Sequence, residues 1–149
     1  MAFVSKIVTF ANVKGGSGKS TLCVNIAAML VKLNRSVCVI DSDPQQSTYD
    51  WIINTKDPLL SQVNCRDVSN LEALSEIDDE FILIDTQGNL NKELADFLKV
   101  SSLVLVPCRV SRDDIVGQGW VQMFLRKSQS EKKTTPIMAI LNGVNKRSQ

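Results

Sequence analysis

Lys14-Gly15-Gly16-Ser17-Gly18-Lys19-Ser20-Thr21 joins the apolar run Ile7-Val8-Thr9-Phe10 to a segment with apolar residues at near-helical spacing. A turn between a strand and a helix presents backbone N–H groups and the positive end of the helix dipole to an anion. Glycines allow such a backbone to approach a phosphate closely or to adopt positive φ. The stretch therefore predicts the phosphate-binding loop of a P-loop protein.

Further apolar runs along the chain predict the rest of the fold. They alternate with helical patterns, which is typical of a parallel sheet covered on both faces. We predict an α/β, doubly wound, mostly parallel sheet with helices on both faces, formed by one domain over residues 1–149. The predicted strands are residues 7–10, 37–40, 63–65, 81–84, 103–106 and 137–141, and the first four predicted helices are residues 20–33, 49–53, 71–77 and 90–98. A capping box at 111–114 opens a further predicted helix, whose inward pattern is Ile115, Gln118 or Gly119, Met123 and Phe124.

Composition excludes several classes of function. The 149 residues carry a net charge of +1, so only a local patch could attract nucleic acid. The chain has no histidine, which argues against a zinc site or a histidine-based catalytic triad. The four scattered cysteines indicate reduced core thiols. Without a signal peptide or an apolar run of about 18 residues, we expect a cytoplasmic protein.

The loop residues divide into predicted roles. Gly15, Gly16, Ser17, Gly18 and Thr21 are expected to surround the phosphates, Lys19 to reach the β- and γ-phosphates, and Ser20 to bind Mg²⁺. The strict G-x-x-x-x-G-K-[ST] pattern would place glycine at Val13, and this sequence departs from it there. It has instead a second lysine, Lys14. The predicted cofactors are ATP and Mg²⁺.

Three aspartates follow predicted strands, where α/β sheets bind their ligands. Asp41 and Asp43 follow one strand, and Asp85 ends the apolar run Phe81-Ile82-Leu83-Ile84. Asp85 is the expected carboxylate next to the magnesium ion. An alternative interpretation makes Asp43-Pro44 the start of a turn and Asp41 a helix cap.

The loop resembles the deviant Walker A motif of the ParA/MinD family of ATPases, and Asp41-Ser42-Asp43-Pro44-Gln45 resembles the second conserved box of that family. The resemblance implies that Lys14 crosses to the ATP of a partner subunit in a sandwich dimer. It also implies that Asp41 holds a magnesium-bound water and that Asp43 orients the attacking water. Thr86-Gln87-Gly88 departs from the usual Asp-Thr-Pro-Pro of the family, although Gly88 could serve as a hinge.

The resemblance runs from Lys6 to Asn142 and is strongest to small plasmid-partition ParA proteins. It suggests a base contact for Asn142, while Trp51 is expected to pack in the core and Asp114 to cap a helix. Family members usually continue further, so the chain is expected to be C-terminally short. We also expect no amphipathic C-terminal helix of the kind by which MinD proteins hold a membrane, and therefore no membrane partner.

The leading functional prediction is a ParA-type ATPase that dimerises on ATP and drives plasmid or chromosome partition, with weak hydrolysis stimulated by a centromere-binding or other partner protein. Four basic residues could contact DNA without sequence preference and make the protein nucleoid-associated, although a solvated surface is the alternative. They are Arg126, Lys127, Lys132 and Lys133. Two further alternatives are a nucleotide-regulated adaptor with little ATPase activity and a metabolic synthetase or kinase, and Lys14 argues against the second.

Overall fold

The chain forms six strands and four α-helices in a computed structural model that describes residues 4–13, 16–67, 71–128 and 135–143. The strands are β1 (Lys6–Phe10), β2 (Val37–Asp41), β3 (Asn64–Arg66), β4 (Phe81–Asp85), β5 (Leu103–Arg109) and β6 (Ile137–Asn142). The helices are α1 (Lys19–Lys32), α2 (Ser47–Asn54), α3 (Lys92–Val100) and α4 (Arg112–Ser128). Short 3₁₀ helices cover Leu60–Gln62 and Glu72–Glu76.

The six strands form a single sheet in the order β3-β2-β4-β1-β5-β6, and every pairing is parallel. Helices cover both of its faces. On β2, Val37 and Val39 pack in the cluster that contains residues of α1 and α2, whereas Cys38 and Ile40 pack in a cluster on the other face. Because both faces are buried at the centre of the sheet, β2, β4 and β5 read as apolar runs rather than as alternating patterns, whereas the edge strands β3 and β6 are partly exposed. The predicted fold class is confirmed.

The start of α4 follows the sequence prediction. The Ser111 hydroxyl donates to Asp114 Oδ2 over 2.6 Å and accepts from the Asp114 backbone N–H over 3.2 Å. Asp114 is therefore bound into the helix N-terminus, as expected for a capping residue.

Two predictions about apolar side chains are wrong. Trp51, expected in the core, is 46% exposed on α2, where Ile52 is the buried neighbour. On α4, Ile115 and Met123 belong to the predicted apolar pattern, yet they are 60% and 49% exposed. The buried side of α4 is instead formed by Asp114, Val121 and Leu125.

The four cysteines are free thiols, and Cys23, Cys38 and Cys108 are buried as predicted. Burial raises the pKa of Cys38 and of the half-buried Cys65 to about 12. Over the described part of the chain, no helix is long and apolar enough to span a membrane.

Candidate functional site

The site lies where three central strands end. Asp41 of β2 and Phe10 of β1 are both in register with Asp85 of β4, and these residues are the last of their strands. The helix α1 begins at Lys19, directly after the loop that follows β1. Parallel strands thus place the glycine-rich loop and two of the three predicted carboxylates at one edge of the sheet, where such sheets bind ligands.

The described part of the loop has the backbone conformation that its glycines permit. Gly16 and Gly18 have φ values of 75° and 91°, which side-chain-bearing residues rarely adopt. Gly18 is also the residue that precedes the first turn of α1. Ser17 is buried, and its Oγ has no hydrogen-bond partner among the described residues. The predicted roles of Lys14 and Gly15 fall outside the described residues.

A cavity of about 330 Å³ opens beside this loop. Its lining brings together most of the predicted phosphate-binding residues and adds Gln45, Ser47 and Thr86, for which the sequence indicated no role at the site. The lining residues are Gly16, Ser17, Gly18, Lys19, Ser20, Thr21, Asp43, Gln45, Ser47, Thr86 and Gly88. The cavity is large enough to hold a phosphate chain next to the loop.

Lys19 places a cation in this cavity. It is only 8% exposed, and this burial lowers the pKa of its ammonium group, while Asp85 and Asp43 act in the opposite direction. A buried ammonium group at a glycine-rich helix N-terminus can bind an anion at little further desolvation cost.

Asp85 is 2% exposed and uses its two carboxylate oxygens differently. Oδ2 accepts a 2.6 Å hydrogen bond from the Thr48 hydroxyl, whereas Oδ1 has no hydrogen-bond partner in the described part of the chain. Burial raises the pKa of this carboxyl, and the Ser20 and Thr48 hydroxyls and Lys19 lower it. A buried, unsatisfied carboxylate oxygen near a serine hydroxyl fits a magnesium ion, which prefers oxygen ligands. Ser20 and Asp85 are the residues that would hold it.

Asp41 makes the contacts that the helix-cap interpretation describes. Its Oδ2 accepts from the backbone N–H groups of Thr48 and Tyr49, both over 2.9 Å, and its Oδ1 accepts from Asp43 N–H over 3.0 Å. The buried carboxylate therefore stabilises the N-terminus of α2 from the end of the neighbouring strand. The role of Asp41 toward a magnesium-bound water stays a prediction.

Asp43 starts a turn and also reaches the cavity. Its Oδ1 accepts from Gln45 N–H over 2.9 Å, and its carbonyl accepts from Gln46 N–H over 2.8 Å. The carboxylate is close enough to Lys19 to oppose the lowering of the lysine pKa. Asp43 thus lies in the cavity wall near Lys19, and its catalytic role stays a prediction.

Asn142 lies against the phosphate loop from the end of β6. Its Nδ2 donates to the carbonyl of Ser17 over 3.3 Å, and a Cβ added to Gly18 would overlap this nitrogen. It is not one of the residues found to line the cavity, and its contact with a base stays a prediction.

The hydrogen bond from Thr48 to Asp85 could not be predicted from the sequence. The residue follows Asp41 by seven positions and belongs to no motif, so only the folded backbone brings its hydroxyl to Asp85. Of the predicted DNA-binding residues, Arg126 and Lys127 are exposed at the end of α4, while Lys132 and Lys133 lie outside the described residues.

A parallel sheet with a glycine-rich loop, a buried lysine and a strand-end aspartate at its carboxyl edge defines a P-loop nucleotide-binding domain. Residues 8–149 match the CobQ/CobB/MinD/ParA nucleotide binding domain. The chain belongs to this family.

Individual relatives agree with the assignment. The chain is 28% identical over 149 residues to the maintenance of carboxysome distribution protein A of Halothiobacillus neapolitanus, covering 93% of this chain and 66% of that protein. It is 25% identical over 129 residues to the ParA protein of Rhizobium radiobacter, covering 83% of this chain and 58% of that protein. A plasmid partition protein of Borrelia burgdorferi B31 bound to AMPPNP has the same fold, with a TM-score of 0.78 and 21% identity over 95% of this chain and 76% of that one.

The curated relatives are longer than this chain. It spans between about half and two thirds of the length of those it matches first.

Proposed function

We propose that the chain binds Mg²⁺–ATP, dimerises on ATP and drives the partition of DNA. Its ATP hydrolysis is weak and is stimulated by a partner protein. The observation that carries the proposal is the proximity of Lys19 to Asp85 beside the glycine-rich loop, where Asp85 Oδ1 has no hydrogen-bond partner among the described residues. The partition role is supported by the similarity to partition proteins of the family.

The chain's own residues have distinct tasks in this proposal. Loop N–H groups and Lys19 bind the phosphates, and Ser20 and Asp85 hold the metal, which when bound offsets the charge that develops on the transferred phosphoryl group. Asp43 orients the attacking water from the cavity wall. Since phosphoryl transfer depends mainly on positioning and charge stabilisation, these few groups suffice for a slow hydrolysis.

The binding step is tested by Lys19→Ala, with Lys32→Ala as the matched control because Lys32 is exposed at the far end of the same helix. Calorimetry with ATP and Mg²⁺ should show binding to the parent and the control and none to Lys19→Ala. Circular dichroism should show all three folded. Equal affinity in Lys19→Ala and parent would remove Lys19 from the phosphate site.

The hydrolysis step is tested by Asp43→Ala, compared with Asp50→Ala, which changes an exposed aspartate of α2. Asp43→Ala should retain ATP and Mg²⁺ binding and lose about 10²–10³-fold in single-turnover rate, as for other groups that act mainly in the transition state. Unchanged turnover would contradict the assigned role.

The dimerisation step depends on Lys14. A second cation beside the same triphosphate is useful if it reaches a nucleotide held by a facing subunit. In an Asp43→Ala background, light scattering should detect an ATP-dependent dimer that Lys14→Ala abolishes and that Lys56→Ala, in an exposed loop, preserves. A parent that stays monomeric with ATP would exclude the sandwich dimer.

Direct DNA binding is the least specific part of the proposal. If the basic cluster containing Arg126 and Lys127 contacts duplex phosphates, affinity must fall steeply with salt and be the same for unrelated sequences. A filter-binding titration at several salt concentrations measures both properties. Absence of retention at low salt with ATP present would leave these residues as a solvated surface.

A nucleotide-regulated adaptor is the second candidate, and α4 provides the observation that favours a protein partner. Val116, Trp120 and Met123 follow the i, i+4, i+7 spacing of one helix face, and all three are exposed. An adaptor would bind ATP and show no single-turnover hydrolysis in parent or Asp43→Ala, so the assay above distinguishes the two functions.

A further inference from the structure

Thr48 connects the two buried carboxylates of the site. Its backbone N–H donates to Asp41 Oδ2 over 2.9 Å, and its hydroxyl donates to Asp85 Oδ2 over 2.6 Å. Thr48 is 1% exposed, so both bonds are shielded from water. The first turn of α2 is thereby attached to the ends of two neighbouring strands, β2 and β4.

The bond to Asp85 decides which oxygen is available to a ligand. A carboxylate can rotate about its last side-chain torsion, which is broad, unless a neighbour fixes its plane. The Thr48 hydroxyl occupies Oδ2, and Oδ1 remains buried without a hydrogen-bond partner among the described residues. The hydrogen bond therefore leaves Oδ1, rather than Oδ2, as the carboxylate oxygen available to a ligand.

We propose that Thr48 is a positioning residue that orients the Asp85 carboxylate for the divalent cation that accompanies the nucleotide. This inference rests on the proposed Mg²⁺–ATP site and adds to it a residue that does not touch the metal. Partners of metal-ligating carboxylates fix ligand orientation, and their loss typically costs about 10–100-fold in metal affinity.

The two hydrogen bonds of Thr48 can be separated by mutation. Thr48→Val removes the hydroxyl and retains the backbone N–H that Asp41 accepts, at nearly unchanged volume. Thr48→Ser retains the hydroxyl and is the conservative variant expected to restore function. Thr55→Val is the matched control, because it also removes a threonine hydroxyl that makes a hydrogen bond, in this case accepted from Asp57 N–H over 3.1 Å at the other end of α2.

The measurement is calorimetric binding of a non-hydrolysable ATP analogue, with Mg²⁺ and with EDTA. Thr48→Val should bind about 10–100-fold more weakly than the parent with Mg²⁺ and equally well in EDTA. Thr48→Ser and Thr55→Val should match the parent in both conditions. In an Asp85→Asn background, Thr48→Val should have no further effect on the Mg²⁺ dependence, because the oriented carboxylate is already absent.

Each result decides the matter. Parent-like affinity of Thr48→Val with Mg²⁺, or an equal loss with Mg²⁺ and EDTA, overturns the positioning role and leaves the proposed function standing. A parent whose affinity does not respond to Mg²⁺ overturns the proposed metal site and this inference with it. If Thr48→Val does not fold, Thr48→Ala, which favours helix, takes its place with the same expected results.

Discussion

Replacing Gly18 by alanine tests whether the phosphate loop is held in a conformation that only glycine permits. Gly18 has a φ of 91°, and a Cβ built on it would overlap Asn142 Nδ2. That nitrogen donates to the carbonyl of Ser17, so the new methyl group would displace a hydrogen bond that links β6 to the loop. The effect should appear in the free energy of unfolding without any nucleotide.

The cost has two parts. A residue with a side chain loses roughly 1–2 kcal/mol in the left-handed region. Displacing Asn142 forfeits a hydrogen bond worth roughly 0.5–1.5 kcal/mol. Gly18→Ala should therefore lower the free energy of unfolding by about 1.5–3.5 kcal/mol, which in urea lowers the midpoint by roughly 0.8–1.8 M for an m-value near 2 kcal/mol/M.

One further variant serves as a control, and a second background separates the backbone cost from the cost of displacing Asn142. Gly119→Ala should raise stability by about 0.5–1 kcal/mol, because Gly119 is inside α4 and a Cβ there meets nothing within 4 Å among the described residues. In an Asn142→Ala background the overlap is absent, and Gly18→Ala should cost only the backbone share. An unchanged urea midpoint for Gly18→Ala, or the same loss with and without Asn142, would refute this reasoning.

Three further measurements test other parts of the structure. Ser111→Ala should lower the free energy of unfolding by about 0.5–2 kcal/mol, because the hydroxyl caps α4 through Asp114; a loss near zero would contradict the cap. Burial raises the pKa of Asp85 in the folded protein above its unfolded value of about 3.9, so the folded state binds more protons between these two pKa values. The free energy of unfolding of the parent should therefore fall as pH rises from the unfolded pKa to the folded pKa. In urea titrations without nucleotide, the stability of Asp85→Asn relative to the parent should therefore increase as pH rises from 3 to 8. A stability difference that stays constant with pH would contradict this prediction. Because the pKa of Cys38 and Cys65 is about 12, iodoacetamide at pH 8 should modify them roughly a thousandfold more slowly in the native protein than in urea, and similar rates would show that they are not protected.

The strands and the loop could be predicted because each depends on a constraint that is local in sequence. A strand buried on both faces must be apolar at every position, as in β2 and β4, whose patterns read as unbroken runs. The positive φ of Gly18 was likewise predictable, because glycine itself permits this backbone conformation. Since parallel strands share their carboxyl edge, the strand assignments placed Asp41 and Asp85 at the same edge of the sheet, and the pairing of β2 with β4, which was not predicted, makes them neighbours.

The side of α4 that faces the sheet could not be read from periodicity. Apolar residues occur around the whole helix, so several faces were compatible with the pattern, and Val121 and Leu125 pack inward while Ile115 and Met123 do not. The prediction that Trp51 packs in the core was wrong for a related reason, because a single large apolar residue carries no periodic information. Both outcomes depend on contacts between distant segments, which a local pattern does not contain.

The groups most important for the proposed function are also the ones that the surrounding protein satisfies least. Burial disfavours the charged forms of both Lys19 and Asp85, and Asp85 Oδ1 and Ser17 Oγ lack hydrogen-bond partners among the described residues. Such groups cost stability unless something satisfies them. A phosphate chain with its metal would supply an anion for Lys19, a cation for Asp85 and an acceptor for Ser17 in one step. These groups therefore support the proposed Mg²⁺–nucleotide, which carries both an anionic phosphate chain and a cation, over a neutral or purely anionic ligand.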